Sequence, residues 1–260
     1  MTKQKQYYEK DHIDFLEKLW GDGFMSPGGP AEVKRIFDQI DVSDKKILDI
    51  GCGSGGISVS MLRDYGARNV IGIDVEDDVC RAAQERVVRA GLERNIEIKK
   101  VVPGPLEFSD STFDIVFSKD SIVHIEDKER LVSDIFRILK PGGYFLASDW
   151  LRSHDNQPSL EMKRYLDLED LGFDMASPER YKVALENAGY RNIKLTNRNK
   201  WYTKQAEKEV RILSELRRQE FEEISSKEYM DYSIKTWKAM ITVLKTGEHC
   251  PHHIRAMKPK

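Results

Sequence analysis

One short stretch constrains the fold more than any other: an apolar run that leads into a glycine-rich turn. Lys46-Ile47-Leu48-Asp49-Ile50 is followed by Gly51-Cys52-Gly53-Ser54-Gly55-Gly56. Short apolar runs bounded by glycines are typical of the inner strands of a parallel sheet. Glycines accept positive φ and allow a ligand close to the backbone, and a helix that follows offers its N-terminal amides to that ligand. The stretch therefore predicts an α/β fold with a ligand site at the turn.

Two interpretations of this turn compete. Gly51-x-Gly53-x-x-Gly56 matches the dinucleotide fingerprint, which suggests an NAD-dependent enzyme. Asp49 argues against it, because a carboxylate just before the first glycine repels a pyrophosphate, whereas it can accept hydrogen bonds from an amine or a hydroxyl. Asp74 ends the second predicted strand, where a carboxylate can accept hydrogen bonds from a ribose diol. Asp74 supports a nucleoside ligand under both interpretations.

Three motifs together favour the second interpretation. Asp49-x-Gly51-x-Gly53-x-Gly55 resembles motif I of the class I S-adenosylmethionine-dependent methyltransferases. Residues 114–118 (Asp-Ile-Val-Phe-Ser) and 139–143 (Leu-Lys-Pro-Gly-Gly) resemble later motifs of that family. The resemblance implies S-adenosyl-L-methionine as cofactor and S-adenosyl-L-homocysteine as product. It also implies a Rossmann-like α/β fold, with a seven-stranded, mostly parallel sheet, N-terminal lid helices and helical insertions.

The order of predicted elements divides the chain into three parts. Residues 41–150 alternate strands and helices with short links, which indicates right-handed crossovers and the cofactor-binding core. Residues 1–40 contain two amphipathic helical patterns around a turn-rich loop, and we expect them to form a lid over the cofactor. Residues 151–260 are expected to supply helical insertions that cover the substrate, together with the last core strands.

The segment after the fourth predicted strand carries the candidate chemistry. Asp120 and His124 are four residues apart, so on a helical turn they would share one face. A neutral histidine can take the proton of an amine, and an aspartate can orient that base or bind a cation. A hydrogen-bonded core histidine is the alternative. Residues 118–124 resemble the active-site segment of phosphoethanolamine N-methyltransferases and that of sarcosine/dimethylglycine N-methyltransferases, which implies that Asp120 and His124 are the catalytic pair.

The resemblance also implies the binding residues. Tyr8 and residues 24–29 resemble the tyrosine and the lid loop of the phosphobase enzymes. The expected cofactor-binding residues are Tyr8, Met25, Ser26, Asp49, Gly51, Gly53, Gly55, Asp74, Val75, Val102, Pro103, Ser118 and Lys119. Trp150 and Tyr165 are expected to contact the substrate. The sequence departs from the family at Val102, where an aspartate binds adenine, and at Trp150, where a tyrosine contacts substrate. Residues 168–170 (Leu-Glu-Asp) are acidic, which favours a cation over a phosphate.

Bulk properties exclude several classes of protein. A net charge of −2 gives no general attraction to nucleic acid or to an anionic membrane. Three cysteines without paired spacing favour a reducing compartment. We find no secretory signal and no apolar run of membrane-spanning length. The histidines and cysteine of residues 249–253 fit no usual zinc spacing, so no metal is expected. These features predict a cytoplasmic protein, monomeric or homodimeric, without nucleic-acid or membrane partners.

The sequence therefore predicts an enzyme that methylates the nitrogen of a small amine. The amine would be phosphoethanolamine-like or glycine/sarcosine/dimethylglycine-like. Methyl transfer to an oxygen, sulfur or carbon of another metabolite is the nearest alternative. A non-catalytic S-adenosylmethionine-binding module, acting through the charged helices expected at residues 205–244, is the alternative from another class.

Overall fold

The computed structural model describes residues 10–260, and the predicted cofactor contact Tyr8 lies outside the described residues. The strands are β1 Lys46–Ile50, β2 Asn69–Asp74, β3 Ile96–Lys100, β4 Phe113–Lys119, β5 Leu139–Asp149, β6 Arg191–Asn197 and β7 His252–Met257. They form one sheet in the order β3-β2-β1-β4-β5-β7-β6, in which β7 is antiparallel to both of its neighbours. The other pairings are parallel, which confirms the predicted seven-stranded, mostly parallel sheet.

The strand order positions the candidate site. From β1 the chain continues to β2 and β3 on one side, and it then returns to β4 on the other side of β1. In such open sheets the crevice outside the carboxyl ends of the strands, at the point where the order reverses, is where ligands bind. Asp49 pairs in register with Gly72 on β2 and with Phe117 on β4, so the glycine-rich turn leaves the sheet at this crevice.

Helices cover both faces of the sheet. The helices are α1 Lys10–Trp20, α2 Gly29–Phe37, α3 Gly56–Arg63, α4 Asp77–Ala90, α5 Lys128–Ile138, α6 Leu160–Glu169, α7 Pro178–Ala188, α8 Asn199–Arg211, α9 Arg218–Glu222 and α10 Lys227–Thr246. Apolar side chains of α2, α3 and α4 pack with Ile47 and Phe117 in one core. Those of α5 and α7 pack with Leu48 and Phe145 in a second core on the opposite face.

The motif at residues 139–143 lies inside a strand. These residues (Leu-Lys-Pro-Gly-Gly) begin β5, and the register of the strand is interrupted by a bulge there. Phe113 pairs with Leu139, and Ile115 pairs with Tyr144. Gly142 has φ 81°, a conformation that favours glycine and lets the extra residues bend away from the ladder.

A group of helices, the helical cap, forms beside the carboxyl end of β4. The helical cap consists of α1, α6, α8, α9 and α10. Helix α10 packs along both α6 and α8, and a π-helical segment, Ile212–Leu216, links α8 to α9. Phe15 and Leu16 of α1 pack with Phe221 and Met230, so the N-terminal helix is joined to the late insertions. Within residues 10–260 no helix combines the length and the apolar character needed to span a membrane.

Candidate active site

The glycine-rich turn is held in a left-handed conformation. Gly51, Gly53 and Gly55 have φ of 68°, 55° and 85°. The amides of Gly51 and Cys52 both donate to the carbonyl of Ile73 on β2. A side chain at Gly51 would overlap the hydroxyl of Ser121. Both backbone conformation and space therefore require glycine here, and the backbone stays open to a ligand.

Asp74 fits the role of a ribose acceptor at the end of β2. Its carboxylate accepts hydrogen bonds from the amides of Gly53 (3.1 Å), Val75 (2.8 Å) and Glu76 (3.2 Å). These bonds fix the orientation of the carboxylate and lower the pKa of Asp74, although burial raises it more. Val75, Val102 and Pro103 lie exposed nearby, at the carboxyl ends of β2 and β3. An oriented carboxylate that can accept hydrogen bonds from a ribose diol, beside apolar residues, fits a nucleoside.

Asp49 lies beneath the turn and is fully buried. Its carboxylate accepts a hydrogen bond of 2.6 Å from the hydroxyl of Ser58 on α3. Burial raises the pKa of Asp49 to about 7, and the nearby charge of Asp74 adds to the increase. A carboxyl group with that pKa can change its charge when a cationic ligand group approaches.

The loop after α1 closes directly onto the turn. The amide of Gly56 donates to the carbonyl of Gly23 at 3.1 Å, and a Cβ on Gly56 would lie 2.4 Å from that oxygen. Arg86 of α4 fastens the same region. Its guanidinium donates to the carbonyl of Ser54 (2.8 Å) and to the carboxylates of Asp22 (2.7 Å) and Glu17 (2.8 Å). A Cβ added at Gly53 would lie 3.4 Å from the sulfur of Met25, so this side chain lies close to the turn.

Lys119 joins this loop to the end of β4. Its ammonium group donates to the Ser26 hydroxyl (2.5 Å), the Pro27 carbonyl (2.8 Å) and the Asp120 carboxylate (2.8 Å). The side chains of Lys119 and Asp120 are both 1% exposed. Lys119 was expected to bind cofactor, but its charge is used to hold the lid loop and to neutralise Asp120.

Asp120 is a hub of hydrogen bonds. Besides Lys119, it accepts from the Ser148 hydroxyl at 2.6 Å and from the Tyr202 hydroxyl at 3.0 Å to each carboxylate oxygen. Asp120 has φ 55°, and a 3-10 turn, Ile122–His124, begins two residues later. The expected shared helical face is therefore wrong, since the intervening backbone is not helical throughout. Asp120 and His124 nevertheless line the same cavity.

His124 is arranged as a proton acceptor. Its Nδ1 lies 3.0 Å from the carbonyl of Leu171, so this nitrogen carries the proton and donates, which leaves the lone pair on Nε2. The imidazole packs on Phe173 with 5.2 Å between ring centroids. His124 is exposed to solvent, and the protein around it lowers its pKa below the usual value of 6.5. This direction favours the neutral ring at pH 7.

A cavity of about 280 Å³ lies between the lid loop and the helical cap. Its lining residues are His12, Leu16, Trp20, Met25, Ser26, Pro27, Asp120, His124, Trp150, Leu168, Glu169, Asp170, Leu171, Phe173, Tyr229, Tyr232, Ser233, Thr236, Trp237 and Met240. Aromatic rings and carboxyl groups are prominent, and none of these described lining residues is a lysine or an arginine. The composition suits a small cation.

Glu169 is a second carboxyl group in the cavity wall. It ends α6, and burial raises its pKa to about 7 while the nearby Tyr165 hydroxyl partly opposes the increase. Tyr165 itself is completely buried behind the wall and stacks on His249, with 5.7 Å between ring centroids. Direct contact of Tyr165 with substrate was expected, but the structure places it beside the cavity.

Glu209 fixes two aromatic residues of the cavity. Its buried carboxylate accepts from the indole of Trp20 at 2.7 Å and from that of Trp237 at 2.9 Å. Trp20 ends α1, and Trp237 belongs to α10, so one carboxylate of α8 connects these two helices of the helical cap.

Comparison with known proteins decides the family. The model of a family described as a methyltransferase domain matches residues 24–195, which include the glycine-rich turn, Asp120 and His124. The chain is a class I S-adenosylmethionine-dependent methyltransferase. The cofactor of this family is the one that the glycine-rich motif predicted, and the carboxylate of Asp74 is oriented to accept hydrogen bonds from its ribose.

Similar proteins of known name methylate small amines. Phosphoethanolamine N-methyltransferase 1 of Triticum aestivum is 30% identical over 242 residues, covering 93% of this methyltransferase and 47% of the relative. Glycine/sarcosine/dimethylglycine N-methyltransferase of Actinopolyspora halophila is 30% identical over 208 residues. The match covers 74% of this methyltransferase and 36% of the relative. A solved structure also aligns with the chain: phosphoethanolamine N-methyltransferase 2 of Haemonchus contortus, in complex with phosphomonomethylethanolamine and S-adenosylhomocysteine. The TM-score is 0.87 and the sequence identity 26%, and the alignment covers 96% of this methyltransferase and 58% of that protein. The methyltransferase spans about half the length of the curated relatives it matches.

The structure brings most of the predicted residues to one end of the sheet. Met25, Ser26, Asp120, His124 and Trp150 line the cavity. Ser118 differs from expectation, because its fully buried hydroxyl donates to the Ile50 carbonyl at 2.8 Å and so joins two strands.

Several residues that line or support the methyltransferase's cavity carry no recognisable motif. Tyr229 and Trp237 of α10 line it. Tyr202 and Glu209 of α8 support it through hydrogen bonds to Asp120 and to two tryptophans. Glu169 stands out in the sequence only as part of an acidic stretch. A buried acid within an amphipathic helix, such as Glu209, is the one pattern that could have indicated a polar centre there.

Proposed function

We propose that this methyltransferase transfers a methyl group from S-adenosylmethionine to the nitrogen of a small amine. The observation that carries the proposal is the cavity itself. It joins a neutral imidazole with a free Nε2 to aromatic rings and carboxyl groups, and its described lining has no lysine or arginine. Ammonium groups bind aromatic faces and carboxylates, and an imidazole near them can accept the ammonium proton.

The residues of the chain have three tasks. Bound cofactor supplies a methyl group on a positively charged sulfur. The amine binds as a cation and gives its proton to Nε2 of His124, which frees the nitrogen lone pair. With the cofactor bound, that pair would form the new N–C bond as the C–S bond breaks, and the electrons of the C–S bond would remain on sulfur. Asp120 stays bonded to Lys119, Ser148 and Tyr202, so it holds the wall in place and does not itself take the proton.

Exclusion of water is the third task. Gly23 packs on Gly56, and Lys119 binds Ser26 and Pro27, so the lid loop covers the cavity from the cofactor side. Such closure strengthens the electrostatic interactions inside the site and keeps the reacting atoms aligned.

Related proteins support a nitrogen acceptor. The relatives above are named for phosphoethanolamine and for glycine, sarcosine and dimethylglycine, which share an amine. The direct test is the mass of the products formed from S-adenosylmethionine with a panel of small amines, measured on the full chain. We expect a gain of one or more methyl groups on at least one amine. Cofactor binding without any methylated amine would overturn the proposal in favour of a silent binding module or another acceptor atom.

We also propose a cytoplasmic location. Cys52, Cys80 and Cys250 are all free thiols, which suits a reducing compartment. Fractionation of cells that express the protein tests this assignment.

A further inference from the structure

The proposed mechanism leaves Glu169 without a task. The residue ends α6 and lines the cavity, and within residues 10–260 no lysine, arginine or histidine forms an ion pair with it. Its described neighbour is the hydroxyl of Tyr165, an uncharged group. A partly buried carboxyl group in a binding cavity, without a cationic partner among residues 10–260, is available to a cationic ligand.

Aromatic rings complete the surroundings of this carboxyl group. The rings in the cavity wall belong to Trp20, Trp150, Phe173, Tyr229, Tyr232 and Trp237. Trp150 packs edge-on against Phe173, with 5.5 Å between the ring centroids, and the ring centroids of Trp20 and Trp237 are 6.2 Å apart. A carboxylate among aromatic faces attracts an ammonium group and favours one that already carries methyl groups.

Two polar atoms of the same wall have no hydrogen-bond partner among residues 10–260. The indole nitrogen of Trp150 and the hydroxyl of Thr236 are buried without a hydrogen bond to any described residue, and Thr236 is 3% exposed. Both residues line the cavity. Leaving such groups unpaired costs free energy, so a hydroxyl group on a bound molecule that reaches either of them would gain a hydrogen bond.

The described cavity wall has no lysine or arginine that could bind an anionic group of a substrate. Asp120 is neutralised by Lys119, and that ammonium group is already bonded to Ser26 and Pro27. Asp170 adds another carboxyl group to the wall, and His12 and His124 are the only basic side chains among the described lining. A phosphate or carboxylate would meet Glu169 at close range in a site that screens charge poorly.

We propose that Glu169 binds the ammonium group of the substrate and excludes an anionic tail, so that the substrate is a small amino alcohol and not a phosphorylated or carboxylated amine. The inference rests on the proposed function, since it names the class of amine that the same cavity accepts. It differs from the substrates that the names of the relatives describe.

The carboxyl group must be ionised to bind a cation, which gives the site a pH dependence. With the pKa of Glu169 at about 7, the ionised fraction in the free protein falls about tenfold between pH 8 and pH 6. Tyr165 on its own helix and Tyr229 on α10 interact electrostatically with Glu169, and His12, Asp170 and Tyr232 line the same cavity. His124 also gains charge on acidification, so a variant at position 169 is needed to separate the two effects.

The test compares two ligands that cannot be methylated. Choline and phosphocholine share a quaternary ammonium and differ by the phosphate, and their binding to the chain saturated with S-adenosylhomocysteine is measured by calorimetry. We expect choline to bind at least about tenfold more tightly at pH 8, and Glu169→Gln to remove most of that advantage. Asp167→Asn, an exposed acid on the same helix, is the matched control and should change neither affinity.

Two further measurements sharpen the outcome. Choline affinity of the wild type should fall about tenfold from pH 8 to pH 6, and the fall should be much smaller in Glu169→Gln. Glu169→Arg should bind phosphocholine more tightly than the wild type does. Tighter binding of phosphocholine by the wild type, or an unchanged choline affinity in Glu169→Gln, would overturn the inference. Choline binding as expected without methylation of any amine would instead overturn the proposed function alone.

Discussion

At the scale of single residues, His124 carries the clearest prediction. His124→Ala should lower kcat by about 10²- to 10³-fold, because it removes the general base. Since burial depresses the pKa of His124, the imidazole is neutral above its folded pKa, and the wild-type rate should fall only on acidification below about pH 6.5. The pH profile of kcat checks both points.

A second histidine provides the control. His154 does not line the cavity, and His154→Ala should leave kcat and its pH profile unchanged. If the fall of kcat at low pH were the same in His124→Ala as in the wild type, another group would accept the proton.

At the scale of elements, the 3-10 turn that carries His124 depends on Lys128. The buried ammonium group donates to the carbonyls of Ile122 (2.9 Å), Asp174 (2.9 Å) and Ile125. Lys128→Met should reduce the free energy of unfolding by about 2–4 kcal/mol, because buried carbonyls lose their donor. It should also lower kcat by about tenfold or more through displacement of the imidazole.

The pH dependence of kcat distinguishes an effect of Lys128 on His124 from an effect of Lys128 on folding alone. The charge of Lys128 contributes to the low pKa of His124, after burial. In Lys128→Met the acid limb of kcat should therefore move to higher pH, toward the ordinary histidine value. Lys182→Met, which alters a surface pair on α7, should change neither the limb nor the rate. An acid limb at the wild-type position would contradict the electrostatic role.

The lid is the second element with a specific test. Gly56→Ala should displace the lid loop, because the new methyl group would lie 2.4 Å from the Gly23 carbonyl oxygen. We expect the Kd for S-adenosylmethionine to rise by about tenfold through loss of closure. Calorimetry and hydrogen exchange at residues 23–28 measure the effect. Gly104→Ala meets no atom within 4 Å and is the control, and equal Kd values in the two variants would exclude a lid contribution.

How far the sequence predicts these elements depends on the distance over which residues interact. The strands and the glycine-rich turn follow from local patterns, so the core and its ligand edge were predictable. The helical cap was predicted only as helices, since the bond from Tyr202 to Asp120 joins residues 82 positions apart. The turn at His124 was mistaken for a helical face because the left-handed Asp120 has no local sequence signature.

At the scale of the whole molecule, Glu32 connects three parts of the chain. This buried residue of α2 accepts two hydrogen bonds of 2.9 Å from Arg198 at the start of α8, and His253 of β7 lies 2.8 Å away. These partners hold the pKa of Glu32 at about 2, although burial alone would raise it. A depressed carboxyl pKa stabilises the fold above the unfolded value of 4.5, and this contribution is lost as pH falls from 4.5 to 2.

The difference in stability between wild type and Glu32→Gln isolates this contribution. We expect the free energy of unfolding of the wild type to exceed that of Glu32→Gln by about 3 kcal/mol at pH 6, and this difference should decrease toward zero near pH 2. Denaturant unfolding across this range measures it, with the exposed Glu161→Gln on α6 as control. A difference that does not vary with pH would mean that Glu32 stabilises the molecule through packing alone.

Because Glu209 binds two tryptophans, tryptophan fluorescence should report whether the N-terminal helix covers the site. Trp20 and Trp237 donate to the same buried side chain, one from the N-terminal helix and one from α10. Withdrawal of that helix brings the Trp20 indole into water, where indole emission shifts to longer wavelength. Rapid mixing with cofactor would thus follow the covering of the site in real time, without any attached dye, and Trp20→Phe would abolish the change in emission.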